Sequence, residues 1–399
     1  MGVHLKRIRA ILCRVTPAAL AADLRAVPHS GIREIANLAA VMPGVIRLEV
    51  GQPDFRTPDH IVEAAKRALD EGWHGYTQTA GLPSLRERVA AKLRRVNGID
   101  VPAEQVVCGI GGVGVISSAV AALVEPGDEV LIGDPSWTNL RLMLAAAHAR
   151  PVRYPCPPQL GFLPDLDRLE ALITPRTRLL IVNSPNNPTG RVYPPELLRA
   201  LGDIAARHGL WVLSDECYDQ IVLDGTAVAP GMRAHADPDR VISCFTFSKS
   251  YAMTGWRLGY ATAHPDVLDS MIKMIEGNAS GATTVTQKAA EAALDGPQDC
   301  VAEMVAAYRR RRDLAVDLLR EAGLLVVEPE GAFYVMADVS ATGLDGLDFA
   351  KRLLHQRGVA VAPGTAFGPA ADGMVRVSLA SADADLREGL GRLCELARR

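Results

Sequence analysis

The chain has 399 residues, of which 48% are hydrophobic and 22% are charged, and its formal net charge is −3. This composition is typical of a globular protein with a large apolar core, and the length predicts more than one domain. The slight negative charge argues against nucleic acid or an anionic membrane as the main partner.

The N-terminal segment, residues 1–29, is basic and partly apolar, but Arg14 and Pro17 interrupt its apolar run. No convincing cleavage site follows, so the segment is predicted to be a helical arm and not a signal peptide. No apolar stretch reaches the roughly 18 residues that a membrane span needs. Seven scattered cysteines, without a C-x-x-C pair or a Cys/His cluster, predict reduced thiols and a cytoplasmic location.

Helical and strand patterns alternate through the middle of the chain. Apolar residues at i, i+3, i+4 and i+7 predict helices over residues 59–72, 84–98 and 194–209. In the second helix, Ser84 is the expected N-cap and Glu87 completes a capping box. Short apolar runs such as VVCGI, EVLIG, LLIVN, LWVLSD and VISCF predict the strands. Strands of this kind, separated by helices, indicate a largely parallel sheet of α/β type.

The pattern changes in the last quarter of the chain. A long helix is predicted over residues 300–323, followed by strands and a further helix, which is typical of a smaller α+β domain. We therefore predict an arm over residues 1–29, a small domain from residues 30–60 and 293–399, and a large domain over residues 61–292.

Lys249 differs from the other six lysines in its sequence context. It follows the β-prone run VISCFTF and precedes a turn-like stretch, whereas most of the others lie among helix-forming residues and are expected at the surface. A partly desolvated lysine at a strand end can lose its proton and become a nucleophilic amine. A plain surface lysine in a loop fits this segment equally well.

Three other segments place polar or glycine residues where predicted strands end. The string NSPNNPTG, residues 183–190, forms turns at the carboxyl end of a strand, where open α/β sheets bind ligands. Asp215 and Glu216 end another strand, but no histidine or further carboxylate accompanies them at a useful spacing, so no metal site is predicted. Residues 106–123 form a strand, a glycine-rich turn and a helix whose N-terminus suits phosphate, although the Walker and dinucleotide patterns are missing.

Taken together, these segments resemble the class I, fold type I aminotransferases that use pyridoxal 5′-phosphate (PLP), and especially bacterial and archaeal aspartate and aromatic aminotransferases. The resemblance runs from about residue 30 to the C-terminus. It is carried, in chain order, by GQPDFRTP, YTQTAGLPSLRE, PGDEV, NSPNNPTG, SDECY, FSKSYAMTGWRLGY, GAFYV, PGTAFG and the arginine of MVRVS. It implies a large α/β domain with a mostly parallel mixed sheet, a smaller α+β domain, PLP as cofactor and a homodimer.

The resemblance also implies which residues bind the cofactor. Lys249 would form the Schiff base with PLP and, once substrate displaces it, would act as the general base. Asp215 would keep the pyridine nitrogen protonated, as an electron sink requires, while Tyr218 and Asn187 would donate to the phenolate oxygen. The phosphate and the ring would be held by Gly111, Gly112, Val113, Thr246, Ser248, Arg257 and, through stacking, Trp137.

Substrate binding follows from the same resemblance. Arg376 would bind the substrate α-carboxylate in a bidentate manner, with help from the backbone at Gly51 and from Asn187. Trp137 and Phe367 are expected to line the cavity for the substrate side chain.

Some of these residues have plainer interpretations. Trp137 and Phe367 also fit as core aromatics, and Thr246 and Ser248 also fit as strand residues that bind nothing. Tyr76 matches a tyrosine that reaches the phosphate of the neighbouring subunit, which would make the homodimer necessary for activity, but it also fits as ordinary surface.

The predicted function is transfer of an amino group between an L-amino acid, whether aromatic, aliphatic or aspartate-like, and a 2-oxo acid such as 2-oxoglutarate. The chain departs from some aspartate-specific relatives at Val113, where they have a lysine for the distal carboxylate, although an arginine elsewhere could substitute. Another PLP reaction, a C–S lyase or cyclase-type elimination, would use the same residues. A non-catalytic regulator is disfavoured, because about 30 residues before the match are too few for a helix-turn-helix domain.

Overall fold

The computed structural model describes residues 22–28 and 30–398. Most of the predicted arm, residues 1–29, therefore lies outside the described residues. The strands are β1 Ile46–Arg47, β2 Val106–Ile110, β3 Glu129–Asp134, β4 Arg150–Pro155, β5 Thr177–Asn183, β6 Trp211–Asp215, β7 Val241–Thr246, β8 Leu258–Thr262, β9 Tyr334–Asp338, β10 Val359–Ala360, β11 Ala362–Pro363 and β12 Met374–Ser378. The helices are α1 Ala22–Ala26, α2 Gly31–Ala40, α3 Asp59–Asp70, α4 Pro83–Lys92, α5 Gly111–Leu123, α6 Asn139–Ala146, α7 Leu166–Ala171, α8 Pro195–Arg207, α9 Pro265–Ala279, α10 Thr284–Asp295, α11 Asp299–Glu321, α12 Gly346–Arg357 and α13 Asp383–Ala397.

A seven-stranded sheet with the order β2-β8-β7-β6-β5-β3-β4 forms the centre of the molecule. Strand β8 is antiparallel to both of its neighbours, and the other pairs are parallel. The carboxyl ends of β2, β5, β6 and β7 therefore meet at one edge, where α/β sheets bind their ligands. The predicted α/β architecture with a mostly parallel mixed sheet is confirmed.

A smaller group of strands contains the C-terminal part of the chain. Strands β11, β12 and β9 form an antiparallel sheet, and β1 pairs with β10 in parallel. One buried apolar cluster joins Ile35 and Leu48 to side chains that mostly follow residue 300. This shared core supports the predicted grouping of residues 30–60 with residues 293–399, and that division remains a prediction.

Three of the four predicted helices begin and end close to their predicted bounds, as α3, α8 and α11 show. The capping box is wrong. Helix α4 begins at Pro83 with Leu82 as N-cap and has no side-chain cap, because proline at the first position is already shaped for a helix. Ser84 lies within the first turn, and its hydroxyl donates to Oε1 of Glu291 at 2.5 Å.

Helix α4 also contains the clearest error about surface residues. Lys92, expected at the surface with most of the lysines, is buried, and the chain continues from it as a π-helical turn, Leu93–Asn97. Within the described residues, no helix is both long enough and apolar enough to cross a membrane.

Candidate active site

A cavity of about 440 Å³ opens at the carboxyl edge of the large sheet. One side, which we call the sheet wall, consists of the lining residues from Gly112 to Arg257. The opposite side, the outer wall, consists of Ile32, Ala36, Glu49, Val50, Gly51, Gln52, Tyr334 and Arg376. The two walls come from segments far apart in the sequence.

Lys249 lies just beyond the end of β7 and points into the cavity. Its Nζ donates to the carbonyl oxygen of Gly51 at 2.7 Å and lies 5.7 Å from the ring centroids of both Tyr218 and Phe333. Burial disfavours the charged amine and lowers the pKa of Lys249 from 10.5 to about 8. A useful fraction of the amine is therefore neutral, and nucleophilic, near physiological pH.

Asp215 ends β6 and lies beside Lys249 in the sheet wall. Its Oδ1 accepts a hydrogen bond from the backbone N–H of Cys217 at 3.2 Å. Burial raises the pKa of Asp215, although the positive charge of Lys249 opposes this shift. A buried carboxylate is stable as an anion only beside a positive partner. The protonated pyridine nitrogen of PLP would be such a partner, so this side chain fits the cofactor.

Arg257 lies against the start of α5, as expected if the two form the predicted phosphate cradle. Arg257 has φ 55, and its Nη1 donates to the carbonyl oxygen of Thr254 at 2.9 Å. A side chain at Gly111 would collide with the Arg257 guanidinium, and one at Gly112 would approach the Cys217 sulfur to 2.7 Å. These glycines therefore let a charged group and free backbone N–H groups meet in one place, as phosphate binding requires.

The hydroxyls of Thr246 and Ser248 complete that cradle. Thr246 Oγ1 donates to Ser248 Oγ at 2.9 Å, and the backbone N–H of Ser248 donates to Thr246 Oγ1 at 3.1 Å. Both residues line the cavity. The structure thus brings the predicted phosphate-binding groups together at the carboxyl end of β7.

Arg376 on β12 is the cation of the outer wall. Its Nη1 donates to Oδ1 of Asn187 at 2.8 Å, and its Nη2 donates to the carbonyl oxygen of Glu49 at 2.8 Å. Its Nε is buried and makes no hydrogen bond with the part of the chain that the structure describes. The rings of Tyr334 and Phe367 lie 4.2 and 4.9 Å from the guanidinium carbon, and these aromatic faces hold its plane in place.

Sequence patterns did not predict the role of Tyr334. Its hydroxyl lies 2.9 Å from the Tyr218 hydroxyl, and a side chain at Gly51 would come within 2.5 Å of it. The string GAFYV contributes to the family resemblance, but no function was predicted for its tyrosine. Its place beside Arg376 follows from strand pairing, which sequence patterns did not predict. In the antiparallel sheet, Tyr334 pairs with Ser378, two residues beyond Arg376.

The remaining predicted residues divide into three groups. Val113 and Trp137 line the cavity, as expected. Phe367 does not line it, which corrects that expectation, because its buried ring packs against Arg376 instead. Tyr76 is 95% exposed and takes no part in this chain's cavity, so its role toward a neighbouring subunit remains a prediction.

Residues 43–393 match the family described as aminotransferase class I and II. A probable aspartate/prephenate aminotransferase of Thermus aquaticus is 41% identical, over 88% of this chain and 91% of the relative. Aromatic-amino-acid aminotransferase 2 of Thermococcus litoralis is 39% identical, over 94% of this chain and 97% of the relative.

A solved structure of an aspartate aminotransferase from Thermus thermophilus with maleate gives a TM-score of 0.89 at 38% identity, covering 95% of this chain and 99% of that one. The fold type I resemblance is thereby confirmed. These relatives favour transamination over elimination as the reaction. The chain therefore belongs to the class I and II aminotransferases, a family of PLP-dependent enzymes, and it is an aminotransferase.

Proposed function

We propose that the protein binds PLP through Lys249 and transfers an amino group between an L-amino acid and a 2-oxo acid. The observation that carries this proposal is the meeting, in one cavity, of the Lys249 amine, the buried Asp215 carboxylate and the Arg376 guanidinium. When bound, PLP supplies an electron sink for the pair released as the substrate Cα–H bond breaks.

The protein's own side chains perform the proton chemistry. Lys249 Nζ is held by the carbonyl oxygen of Gly51 at 2.7 Å and takes the proton from the substrate Cα. Its lowered pKa of about 8 suits both the acceptance and the return of a proton near neutral pH. Tyr218 and Asn187 would donate to the cofactor ring oxygen, and Asp215 would accept from the ring nitrogen.

Arg376 binds the α-carboxylate that every amino acid and 2-oxo acid substrate shares. Its two terminal nitrogens are already held by Asn187 and Glu49, while its buried Nε has no partner among the described residues. Because Arg376 lines the cavity, its guanidinium is available to a substrate carboxylate, and a planar guanidinium binds a carboxylate in a bidentate manner.

The space for the substrate side chain is mostly apolar. Among the described residues, the cations that line the cavity are Lys249, Arg257 and Arg376, and each already has a role. Burial of a second substrate carboxylate without a partner would cost several kcal/mol. Burial of an aromatic or aliphatic side chain would instead gain about 1.5–3 kcal/mol.

The apolar residues that line the cavity also favour an apolar substrate side chain. The residues that present apolar surface to the cavity are Ile32, Ala36, Val50, Val113 and Trp137. We therefore infer that an apolar or aromatic amino donor is turned over at least as well as aspartate. The relatives named above include both an aspartate/prephenate and an aromatic enzyme.

The test begins with a half-reaction. Addition of an amino acid alone to the purified protein should convert the visible absorbance of bound cofactor into that of the pyridoxamine form. A donor panel then gives kcat/KM for aspartate, phenylalanine, tyrosine, leucine and alanine with 2-oxoglutarate. An aspartate preference above about a hundredfold, or roughly 2.7 kcal/mol, would contradict the assignment of an apolar donor. A protein without visible absorbance would contradict the use of PLP.

The active form is proposed to be a homodimer with shared sites. Tyr76 carries a large ring that is 95% exposed in the single chain, and contact with a partner subunit would bury it. Sedimentation at micromolar concentration should show a dimer. A mixture of Tyr76→Ala and Lys249→Ala chains should recover part of the activity, because one hybrid site keeps both residues. A fully active monomer would defeat this proposal.

A further inference from the structure

The turn that follows β6 has two faces. Asp215 and Tyr218 line the cavity, whereas Glu216 and Asp219 are buried and do not line it. Backbone hydrogen bonds make the turn stiff: Glu216 N donates to Cys244 O at 2.9 Å, and Asp219 N donates to Glu216 O at 3.1 Å. A displacement of Asp219 is therefore transmitted to the adjoining Tyr218.

A buried ion pair holds the rear of this turn. Lys92 Nζ lies 2.5 Å from Asp219 Oδ2, and the two side chains are only 3% and 6% exposed. Asn97 joins both partners, because its Oδ1 accepts from Lys92 Nζ at 2.8 Å and its Nδ2 donates to Asp219 Oδ2 at 2.9 Å. The Lys92 ammonium also lies 4.9 Å from the ring centroid of Phe245 on β7. We call Lys92, Asn97 and Asp219 the rear triad.

The backbone near Lys92 is shaped for this contact. Helix α4 ends at Lys92, a π-helical turn covers Leu93–Asn97, and Gly98 closes it with φ 68. In an ordinary α-helix, two residues five positions apart point about 140° away from each other. The wider turn brings Lys92 and Asn97 to the same side, and single π-helical turns often mark functional sites.

Stability alone does not explain the rear triad. Removal of two charges from water is costly, and a buried ion pair is weak evidence for stability because apolar replacements often serve as well. Buried ionic groups can instead fix one geometry among several. Here the geometry concerned is that of the turn that carries Asp215 and Tyr218.

We propose that the rear triad is a positioning device, which sets the places of the Tyr218 hydroxyl and the Asp215 carboxylate without touching substrate or cofactor. Lys92, Asn97 and Asp219 are thus positioning residues for the reaction. This inference rests on the proposed use of PLP, because it concerns the groups that face the cofactor ring.

The expected consequence is spectroscopic. Tyr218 Oη lies 2.9 Å from Tyr334 Oη; in the proposed function it would donate to the ring oxygen of the cofactor and so stabilise its deprotonated form. If the rear triad is broken, this donor moves and the deprotonated form is less favoured. The pH midpoint of the visible absorbance of the holoenzyme should then rise.

The experiment compares three variants of the holoenzyme. Lys92→Met keeps the length of the side chain and removes the charge, and Asn97→Ala keeps the ion pair but removes the residue that joins it. Leu85→Ala, from the same helix, makes a cavity in the apolar core and serves as the stability control. Each variant is measured by thermal unfolding, by a spectral pH titration and by kcat and KM for one donor.

We expect Lys92→Met to raise the pH midpoint by on the order of half a unit or more, which corresponds to at least about a threefold change in the proton equilibrium. Asn97→Ala should shift it in the same direction by less, and kcat should fall more than KM changes. Leu85→Ala should lower the unfolding temperature and leave the midpoint unchanged.

The outcomes are separable. A folded Lys92→Met or Asn97→Ala protein with the wild-type midpoint would overturn the positioning role. If Lys92→Met does not fold, Asn97→Ala decides the question. Equal shifts in Leu85→Ala and the triad variants would also overturn the role, since general loosening would explain them. A wild-type protein without a visible band would instead refute the proposed function.

Discussion

The two walls of the cavity are held in place by different kinds of contact. In the sheet wall, Asp215 lies at the end of a strand that is bonded residue by residue to its neighbours, so that it pairs with Asn183 on one side and Cys244 on the other. In the outer wall, Arg376 is also paired within a sheet, with Ala362 and Met336, but its guanidinium is held by Oδ1 of Asn187 and the backbone carbonyl oxygen of Glu49, which are remote in the sequence.

We connect this difference with two functions of the cavity, the chemistry of the reaction and the binding of substrate. The sheet wall carries the groups of the proton chemistry at or just beyond strand ends, and a change there should remove a step of the reaction. The outer wall places a guanidinium and apolar surface through contacts between distant segments, and a change there should alter affinity and choice of substrate. Four changes, taken in order of decreasing effect, test this division.

The largest effect is expected for Lys249→Ala. It removes both the group that holds the cofactor and the group that moves the Cα proton, so turnover should fall by at least about a thousandfold. The variant should also lose the visible absorbance band of the wild-type protein. Borohydride treatment followed by mass mapping provides the check: a variant that still fixes cofactor covalently would show that another lysine carries it.

The pH dependence of Lys249 tests the burial of the sheet wall. Because its pKa falls from 10.5 to about 8, the neutral fraction at pH 7 should be on the order of a hundredfold larger than for an ordinary lysine. In the cofactor-free protein, the rate of its modification by an amine reagent should therefore rise with pH and level off above about pH 8. Peptide mapping gives this rate, with the exposed Lys273 as reference. A rate that continues to rise up to pH 10 would contradict the expectation.

Arg376→Lys tests the outer wall. Lysine retains the charge but loses the fork, and each charge-assisted hydrogen bond is worth about 1.5–3 kcal/mol. The value of kcat/KM should thus fall by roughly 10- to 100-fold for all donors, while the visible band of the cofactor persists. The exposed Arg94→Lys is the matched control. Loss of the band in Arg376→Lys would mean that the two walls are not separable.

The contrast also explains what the sequence could predict. The positions of Lys249 and Asp215 near strand ends were predictable because a strand and the polar residue that follows or ends it are consecutive in the chain, whereas their roles came from the resemblance to the aminotransferases. The clamp on Arg376 by Tyr334 and Phe367 depends on how distant segments pack, and Phe367 was accordingly assigned to the wrong surface. Local patterns therefore predicted the sheet wall better than the outer wall.

Lys92 shows the limit of periodicity in another way. The α-helical pattern places it among solvated positions, but a π-helical turn begins directly after it and the ammonium is buried against Asp219. A single extra residue per turn redirects the side chains that follow, and apolar periodicity does not report it. Similarly, the capping box at Ser84 failed because Pro83 started the helix one residue earlier.

The smallest effect is expected for Val113→Lys, which adds a cation at an apolar position of the sheet wall that supplies no side-chain group to the reaction. Val113 is 38% exposed, so a new ion pair with a distal substrate carboxylate would be partly screened by water and worth about 0.2–1 kcal/mol. The ratio of kcat/KM for aspartate to that for phenylalanine should therefore rise by no more than about fivefold. Val113→Met, which adds length without charge, should leave this ratio unchanged or lower it.

The same donor panel measures both variants at low and high salt, because a screened ion pair weakens as salt increases. A ratio that fails to rise in Val113→Lys, or that rises equally in Val113→Met, would show that this position does not face the substrate side chain and that the apolar character of the outer wall sets specificity without it.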